Sequence, residues 1–271
     1  MYYLGVNFYG HNTSCALIKN GKLIYASEEE RFSRIKNDGN IPIKSIKDCL
    51  NFCKINLNQI KTIYVSTIPD RLLKEKYLKY TIRNFPLANP IFFENKTIKI
   101  MNFLNNAEKE IKSKIKFKGK IKFFNHHLCH VASSHFLSGN KSSCSVSIDG
   151  LGEIESSTIY EVKNNKFKLL KRIDYPDSLG MFYSALTYYL GFRPNSSEGT
   201  MMALASFGNF NAKIPGKNIT YYNAFKKIVK PSKDNIFRLN LEWFNFPYSR
   251  QGWVSDKFIK YFGKIRAPGS K

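Results

Sequence analysis

Residues 2–27 read YYLGVNFYGHNTSCALIKNGKLIYAS and contain three short runs with strand character. The runs are Tyr2–Asn7, Cys15–Ile18 and Leu23–Ser27, and each is rich in apolar residues. A polar, glycine-bearing turn separates the first two runs, and Asn20-Gly21, a pair that favours a tight hairpin, separates the second from the third. The segment therefore predicts a three-stranded meander.

The same arrangement recurs about 140 residues later. Its parts are the strand Cys144–Asp149, the glycine turn 150–153, the strand Ser157–Val162, the turn Asn164-Asn165 and the strand Phe167–Ile173. Two such meanders, each followed by helical and parallel-strand material, resemble the duplicated ribonuclease-H-like α/β fold of the actin, sugar kinase and heat-shock ATPase superfamily. In that fold the two hairpin loops hold nucleotide phosphates. The alternative is two unrelated meanders in an α/β protein.

This reading divides the chain into two subdomains. Residues 1–140 form the first, with a lysine-rich and mostly helical insert at 71–118 that Pro86 and Pro90 interrupt. Residues 141–271 form the second, which we expect to be incomplete at its C-terminus. From about Ala212 onward the sequence mixes Lys, Asn and aromatic residues without a clear period.

Three of the five histidines lie within five positions, at His126, His127 and His130. The segment from 126 to 137 reads as a helix, so His126 and His130 share one face and can bind one metal ion. Asp149, at the end of a strand-like run, supplies a carboxylate for the same ion. The alternative is ordinary surface histidines and a turn-forming aspartate. Cys129 lies off the shared face, so we do not predict it as a ligand.

Composition limits the other possibilities. The formal charge is +23, but the lysines are scattered and accompany abundant Ile, Asn, Tyr and Phe, which is typical of a bias in codon composition. Because no known nucleic-acid-binding motif accompanies the charge, we expect attraction of anionic small substrates rather than nucleic acid. Five cysteines without a Cys-x-x-Cys pair indicate reduced thiols. No apolar run is long enough to cross a membrane, and we expect a cytoplasmic protein.

Several strings together resemble a known enzyme family. They are Gly10-His11 with Ser14-Cys15-Ala16-Leu17, Glu28-Glu29-Glu30-Arg31-Phe32, His126-His127-Leu128-Cys129-His130, Asp149-Gly150-Leu151-Gly152-Glu153, Tyr175-Pro176-Asp177-Ser178-Leu179-Gly180 and Glu198-Gly199. In this order they resemble the carbamoyltransferases of nodulation-factor, cephalosporin and aminoglycoside biosynthesis. The match extends from residue 1 to about 210.

The resemblance implies transfer of a carbamoyl group from carbamoyl phosphate to a hydroxyl of a sugar or natural-product precursor, by way of a carbamoyl adenylate made with ATP. It also implies a divalent ion, expected to be Fe²⁺, with His126, His130 and Asp149 as ligands. Such an ion neutralises developing charge on phosphate oxygens.

The resemblance assigns further residues to the substrate. His11 is expected to act as acid, base or phosphate donor, and Arg34 and Lys36 are expected to bind the anionic substrate. The loop that contains Gly150 and Gly152 carries too little side chain to block a phosphate, so we predict that these glycines bind phosphate.

The chain also departs from the family pattern. The family has Asp directly after the first-loop histidine, where this chain has Asn12, and Thr200 and Ala203 replace the usual lysine and glycine. Relatives of this type are about twice as long. The chain is therefore expected to be a fragment, one half of a split gene that works with a separate C-terminal chain, or a remnant. Two alternative functions stay open: threonylcarbamoyl transfer to tRNA, and a non-catalytic role.

Overall fold

A computed structural model of the chain describes residues 1–8, 10–88, 95–249 and 252–269. Pro90, one of the two predicted interruptions, lies outside these residues. The chain forms two compact units: Met1–Lys79 with Asn95–Ser133, and Tyr80–Glu94 with Ser134–Lys271. The division expected at residue 140 stays a prediction.

The first unit is built on a five-stranded sheet. Its strands are β1 (Tyr2–Asn7), β2 (Ser14–Lys19), β3 (Lys22–Glu28), β4 (Ile60–Val65) and β5 (Lys120–Phe123). Their spatial order is β3-β2-β1-β4-β5. The first three strands pair antiparallel, whereas β1 pairs with β4, and β4 with β5, in parallel. This order is the ribonuclease-H-like arrangement that the sequence predicts.

Helices connect these strands and lead out of the sheet. They are α1 (Glu30–Ser33), α2 (Ile43–Phe52), α3 (the turn Pro69–Arg71, the π-helical segment Leu72–Tyr80 and the turn Thr81–Arg83), α4 (Asn95–Asn105), α5 (Ala107–Ile115) and α6 (His126–Ser138). Leu4 and Val6 of β1 belong to the same buried cluster as Ile63 of β4 and Ile111 and Ile115 of α5. Among the residues that the structure describes, no helix combines the length and hydrophobicity needed to cross a bilayer.

The second unit begins with the second meander. Its strands β6 (Ser142–Ile148), β7 (Glu155–Lys163) and β8 (Lys166–Asp174) pair antiparallel in the order β6-β7-β8. The helices α7 (Leu179–Tyr189), α8 (Glu198–Leu204), α9 (Tyr221–Ile228) and α10 (Asp256–Phe262) and the hairpin of β9 (Val229–Ser232) and β10 (Ile236–Leu239) follow. The duplicated meander of the predicted fold is therefore confirmed.

The same backbone geometry closes both meanders. Asn20 and Gly21 have φ angles of +50° and +79°, and Asn164 and Asn165 have φ angles of +48° and +58°. Two successive residues with positive φ fit the type I′ turn, whose twist matches that of the flanking strands. Asparagine and glycine tolerate this conformation at low cost, so the local sequence itself fixes both hairpins.

Residues after 212 form a packed aromatic core, which the sequence did not predict. Phe244 and Phe258 are fully buried there, and the ring centroids of Phe258 and Phe262 are 4.4 Å apart. Trp243 contacts the same cluster with its ring centroid 5.7 Å from that of Phe262. Other contacts, such as that of Phe225 with Phe262, join short elements that are distant in sequence, which is why no period marks them.

Asp177 joins the start of α7 to β10. Its Oδ1 accepts a hydrogen bond of 2.7 Å from the backbone N–H of Leu239. Burial raises the pKa of the Asp177 carboxyl above its ordinary value, although the hydrogen bond from Leu239 and the charge of Arg238 act in the opposite direction. A raised pKa means that ionisation of this carboxyl destabilises the folded state as the pH rises through the folded pKa.

The variants Asp177→Asn and Asp177→Ala separate the hydrogen bond from the charge. The amide oxygen of Asn keeps the acceptor for Leu239 without ionising, so we expect this variant to be at least as stable as the parent at pH 7. We expect the gain to vanish as the pH falls to about 3, below the ordinary aspartate pKa of about 3.9, because the carboxyl is then protonated in both the folded and the unfolded state. Removing the acceptor in the Ala variant should cost about 1–3 kcal/mol. Urea unfolding at both pH values measures these effects, and equal destabilisation by both variants at pH 7 would refute this account.

Candidate functional site

Two histidine side chains form the centre of the candidate site in the first unit. His126 and His130 lie one turn apart on α6, with the Nε2 of one ring 3.0 Å from the Nε2 of the other. Their ring planes are nearly perpendicular, at 89°. Two nitrogen ligands at about 2.1 Å from a metal ion and 90–109° apart are separated by about 3.0–3.4 Å. The pair therefore already has the spacing of two ligands of one ion.

A main-chain carbonyl fixes the orientation of the first imidazole. The Nδ1 of His126 lies 3.2 Å from the carbonyl oxygen of Ser66, which follows β4. A carbonyl oxygen only accepts hydrogen bonds, so Nδ1 carries the hydrogen, and in the neutral imidazole Nε2 is then the nitrogen with the lone pair. This is the usual arrangement of metal-binding histidines, in which the second ring nitrogen donates to a carbonyl or carboxylate. The geometry thus fits a metal ion on the Nε2 side of His126.

The other residues of the histidine string have different environments. His127 is fully buried, with its ring centroid 5.9 Å from that of His126, so it belongs to the interior of the unit. Cys129 is half-buried. Of the three clustered histidines, the structure pairs His126 and His130 through their Nε2 atoms.

The first hairpin loop presents His11 to solvent. The Nδ1 of His11 lies 2.6 Å from the Oδ1 of Asn12, which only accepts, so His11 donates from Nδ1 and its Nε2 is the basic nitrogen. Asn12 has a φ of +52°, and asparagine tolerates this left-handed conformation better than most residues. Asn12 therefore holds the imidazole as one oxygen of an aspartate would, but without its charge.

A second loop, which contains Asp38 and Gly39, packs against the loop that carries His11. The backbone N–H of Thr13 donates to the carbonyl oxygen of Asp38 at 3.0 Å, and a Cβ on Gly39 would lie 2.7 Å from the carbonyl oxygen of Gly10. Burial acts to raise the pKa of the Asp38 carboxyl, but hydrogen bonds from Asn40 and Ser33 outweigh it, and the pKa is lowered. The supporting loop is thus held by an ionised aspartate and requires glycine at its closest approach.

Asn7 and Ser66 connect the His11 loop to the histidine pair. Asn7 Nδ2 donates to the carbonyl oxygen of Asn12 at 3.2 Å, and Ser66 Oγ donates to Asn7 Oδ1 at 2.9 Å. Ser66 in turn accepts from His126 through its carbonyl. Sequence analysis missed both residues. The available signal was a polar residue at the carboxyl end of each of two neighbouring parallel strands, where sites form in such sheets.

The acidic string that contributes to the family resemblance stabilises the fold of the first unit. The buried carboxylate of Glu29 accepts hydrogen bonds from the backbone N–H groups of Lys44 and Ser45, at 3.1 and 2.7 Å. These amides begin α2, whose cap residue Pro42 makes no side-chain cap hydrogen bond, so Glu29 satisfies them instead. The Glu30 carboxylate accepts from the backbone N–H of Asn37 at 2.8 Å.

Arg34 and Lys36 are exposed just after α1. Arg34 ends that helix with a φ of +60°. Exposed cations in such a loop can reach an anionic ligand from solvent, and their role in substrate binding stays a prediction.

In the second unit, Asp149 and Gly150 follow β6 directly. The Oδ1 of Asp149 accepts from the backbone N–H of Gly150 at 2.6 Å, and Ser178 Oγ donates to the carbonyl oxygen of Gly150 at 2.7 Å. The backbone N–H of Gly152 donates to the carbonyl oxygen of Glu155 at 2.7 Å. The backbone N–H groups of Gly150 and Gly152, which the sequence predicts to bind phosphate, thus both donate hydrogen bonds to acceptors of the second unit itself. Phosphate binding by Gly150 and Gly152, and metal binding by Asp149, stay predictions.

Gly180 allows α7 to approach this loop closely. A Cβ at this position would lie 2.5 Å from the backbone nitrogen of Gly150 and 2.7 Å from the carbonyl oxygen of Asp149. Any other residue would push the first turn of α7 away from the loop. The Ser178-Leu179-Gly180 part of the family string is therefore explained by packing within the second unit.

Comparison with known proteins identifies relatives along nearly the whole chain. The family model described as carbamoyltransferase N-terminus matches residues 2–269. The protein sll1178 of Synechocystis sp. is 31% identical over 271 residues, which cover 97% of this chain and 42% of sll1178. The nodulation protein NolNO of Sinorhizobium fredii is 28% identical over 206 residues, or 75% of this chain and 28% of NolNO. The chain therefore spans less than half the length of either relative.

Solved structures give more distant similarities. Component A of the (R)-2-hydroxyglutaryl-CoA dehydratase of Acidaminococcus fermentans is 12% identical and has a TM-score of 0.44, with 80% of this chain and 62% of that chain covered.

The left-handed conformation at residue 12 gives a direct test of the first hairpin loop. Asn12→Ala and Asn12→Gly both remove the acceptor for His11, but only alanine is strained at a φ of +52°. We expect the Ala variant to have a free energy of unfolding lower than that of the Gly variant by about 1 kcal/mol. Urea unfolding of the two variants measures the difference. An Ala variant as stable as the Gly variant would contradict the loop conformation described here.

Proposed function

Because this chain belongs to the carbamoyltransferase N-terminus family, we propose that it forms the metal- and carbamoyl-phosphate-binding part of an O-carbamoyltransferase. The observation that carries the proposal is the imidazole pair of His126 and His130, with its 3.0 Å spacing. The chain spans 42% of sll1178, so the complete reaction is proposed for a longer protein or for this chain with a second polypeptide.

In this proposal His126 and His130 hold a divalent ion, with Fe²⁺ as the expected metal. Two observations support the fit: the ligand spacing, and the carbonyl of Ser66, which faces Nδ1 of His126 so that Nε2 is the ring nitrogen on the side of His130. When bound, the ion supplies positive charge to phosphate oxygens. The proposal retains Asp149 as a third ligand from the sequence analysis.

The loop residues act on the substrate in this proposal. His11, oriented by Asn12, has its Nε2 directed away from that hydrogen bond and donates or accepts a proton at a phosphate oxygen. Arg34 and Lys36 bind the anionic substrate through charge-assisted hydrogen bonds. Asn12 keeps the orientation of His11 but withholds the negative charge that an aspartate would place beside the phosphate.

The complete reaction then has two stages. Carbamoyl phosphate, ATP and one water give carbamoyl adenylate, phosphate and pyrophosphate. A hydroxyl of a sugar or natural-product acceptor next attacks the carbamoyl carbon, and AMP leaves. Gly150 and Gly152 bind phosphate in this scheme, whereas acceptor selection is assigned to the part of the longer relatives that lies outside this chain.

Metal binding tests the first part of the proposal. We expect the anaerobically prepared chain to bind about one Fe²⁺, and His126→Ala or His130→Ala to weaken binding by more than about 100-fold. Cys129→Ser, on the same helix but off the shared face, is the matched control and should retain the metal. Metal analysis and titration with Fe²⁺ alone measure these effects, and circular dichroism checks the fold. Metal retained by both Ala variants would refute the ligand assignment.

Turnover tests the second part. We expect pyrophosphate release that requires carbamoyl phosphate when the iron-loaded chain is supplied with the remaining part of a relative such as sll1178. His11→Ala should lower the rate by about 10²–10⁴-fold, because proton transfer by a positioned side chain contributes that much. Lys22→Ala, in the exposed β2–β3 hairpin, is the control.

Two other results would replace the proposal. No carbamoyl-phosphate-dependent turnover in any combination would favour a non-catalytic remnant. Salt-sensitive binding of tRNA without such turnover would favour the tRNA threonylcarbamoyl-transfer function, since phosphate contacts make nucleic-acid binding depend steeply on salt.

A further inference from the structure

The first strand of the second meander exposes apolar residues that its position in the fold should bury. Val146 is 56% exposed and Ile148 is 60% exposed, although both lie in β6. The serines that alternate with them along the strand, Ser145 and Ser147, are buried. An apolar face on a sheet ordinarily packs against another layer, so this face requires an explanation.

The internal repeat identifies the equivalent residues of the first unit. Asn7 pairs with Ser14 seven residues later, and the backbone N–H of Asp149 donates to the carbonyl oxygen of Ser156, also seven residues later, at 2.9 Å. With Asn7 equivalent to Asp149, Val6 corresponds to Ile148, and Leu4 corresponds to Val146.

In the first unit the equivalent strand β1 is covered at its edge by the strand β4 and on its apolar face by the buried cluster that includes α5. Leu4 is 0% exposed and Val6 is 3% exposed, and both join the buried cluster that contains Ile63 of β4 and Ile111 of α5. The parallel strand β4 pairs directly with β1, with Leu4 opposite Ile63 and Val6 opposite Val65. A parallel strand and a helix that follows it in sequence therefore complete the environment of β1.

The corresponding elements of the second unit do not occur among the described residues. In that part of the chain β6 pairs with β7 alone and forms one edge of the order β6-β7-β8. Its outer edge and its apolar face are therefore open together. A flat, apolar edge of this kind is a template for the addition of another strand.

We infer that the outer edge and apolar face of β6 bind a parallel β-strand followed by an apolar helix. Both are supplied by the part of the longer carbamoyltransferase that this chain does not span. This inference is independent of the proposed metal site, because it uses the repeat, the exposure of Val146 and Ile148 and the length of the relatives.

Two observations favour this occupant over a second copy of the chain. The first unit shows that the covering strand is parallel to β1, whereas two copies related by a two-fold axis would pair their β6 strands antiparallel. The relatives also contain enough additional chain: the match covers 42% of sll1178 and 28% of NolNO.

To test this inference, this chain is fused through a flexible linker to the part of sll1178 outside the matched region. In a second experiment the two are mixed as separate polypeptides. Hydrogen exchange then reports on the amides of residues 144–148. We expect these amides to be more protected in the fusion than in the chain alone. Val146→Asp should abolish the added protection and the binding of the separate segment. Leu170→Asp, at an exposed position of β8, is the matched control and should preserve both.

Both substitutions replace exposed side chains, so thermal unfolding should be nearly unchanged in the isolated chain. Added protection that Val146→Asp removes and Leu170→Asp retains would support the inference. No added protection even in the fusion would overturn it. A dimer of the isolated chain that Val146→Asp dissociates, measured by light scattering, would also overturn it by assigning the face to a second copy.

Discussion

The hydrogen bond between the Nδ1 of His126 and the carbonyl oxygen of Ser66 fixes the chemistry of the candidate site. It holds the imidazole against the carboxyl end of β4 and leaves the Nε2 lone pair directed toward His130. Through Ser66 and Asn7 the same contact extends to the loop that carries His11. The parallel pairing of β1 and β4 places these two strand ends side by side, so the fold of the first unit determines the geometry of the site.

The two meanders have the same kind of hairpin turn, but the apolar side chains of their first strands differ in burial. Asparagine and glycine in left-handed conformations close both hairpins. Leu4 and Val6 are buried beneath neighbouring elements, whereas Val146 and Ile148 are exposed. Among the described residues, β1 has the parallel neighbour β4, whereas β6 pairs with β7 alone. Both sll1178 and NolNO are more than twice as long as the regions that match this chain.

Much of the fold could be predicted from sequence because it depends on local signals. The bounds of β1 agree with the predicted strand Tyr2–Asn7. The register of β6 shows the limit of such signals. Alternation of apolar and small residues predicts a half-buried strand, and it does not reveal that the serines face inward. The aromatic core after residue 212 escaped prediction because its contacts, such as Phe225 with Phe262, join short elements far apart in sequence.

The candidate site was only partly predictable for the same reason. Spacing on a helix identified His126 and His130, but the role of Ser66 depends on a strand that lies 60 residues earlier. Anomalous diffraction at the iron edge, from crystals grown anaerobically with Fe²⁺, measures directly whether the histidine pair binds a metal ion. We expect one peak at about 2.1 Å from the Nε2 atoms of both His126 and His130. A peak bound to other residues, or no peak at these two nitrogens, would contradict it.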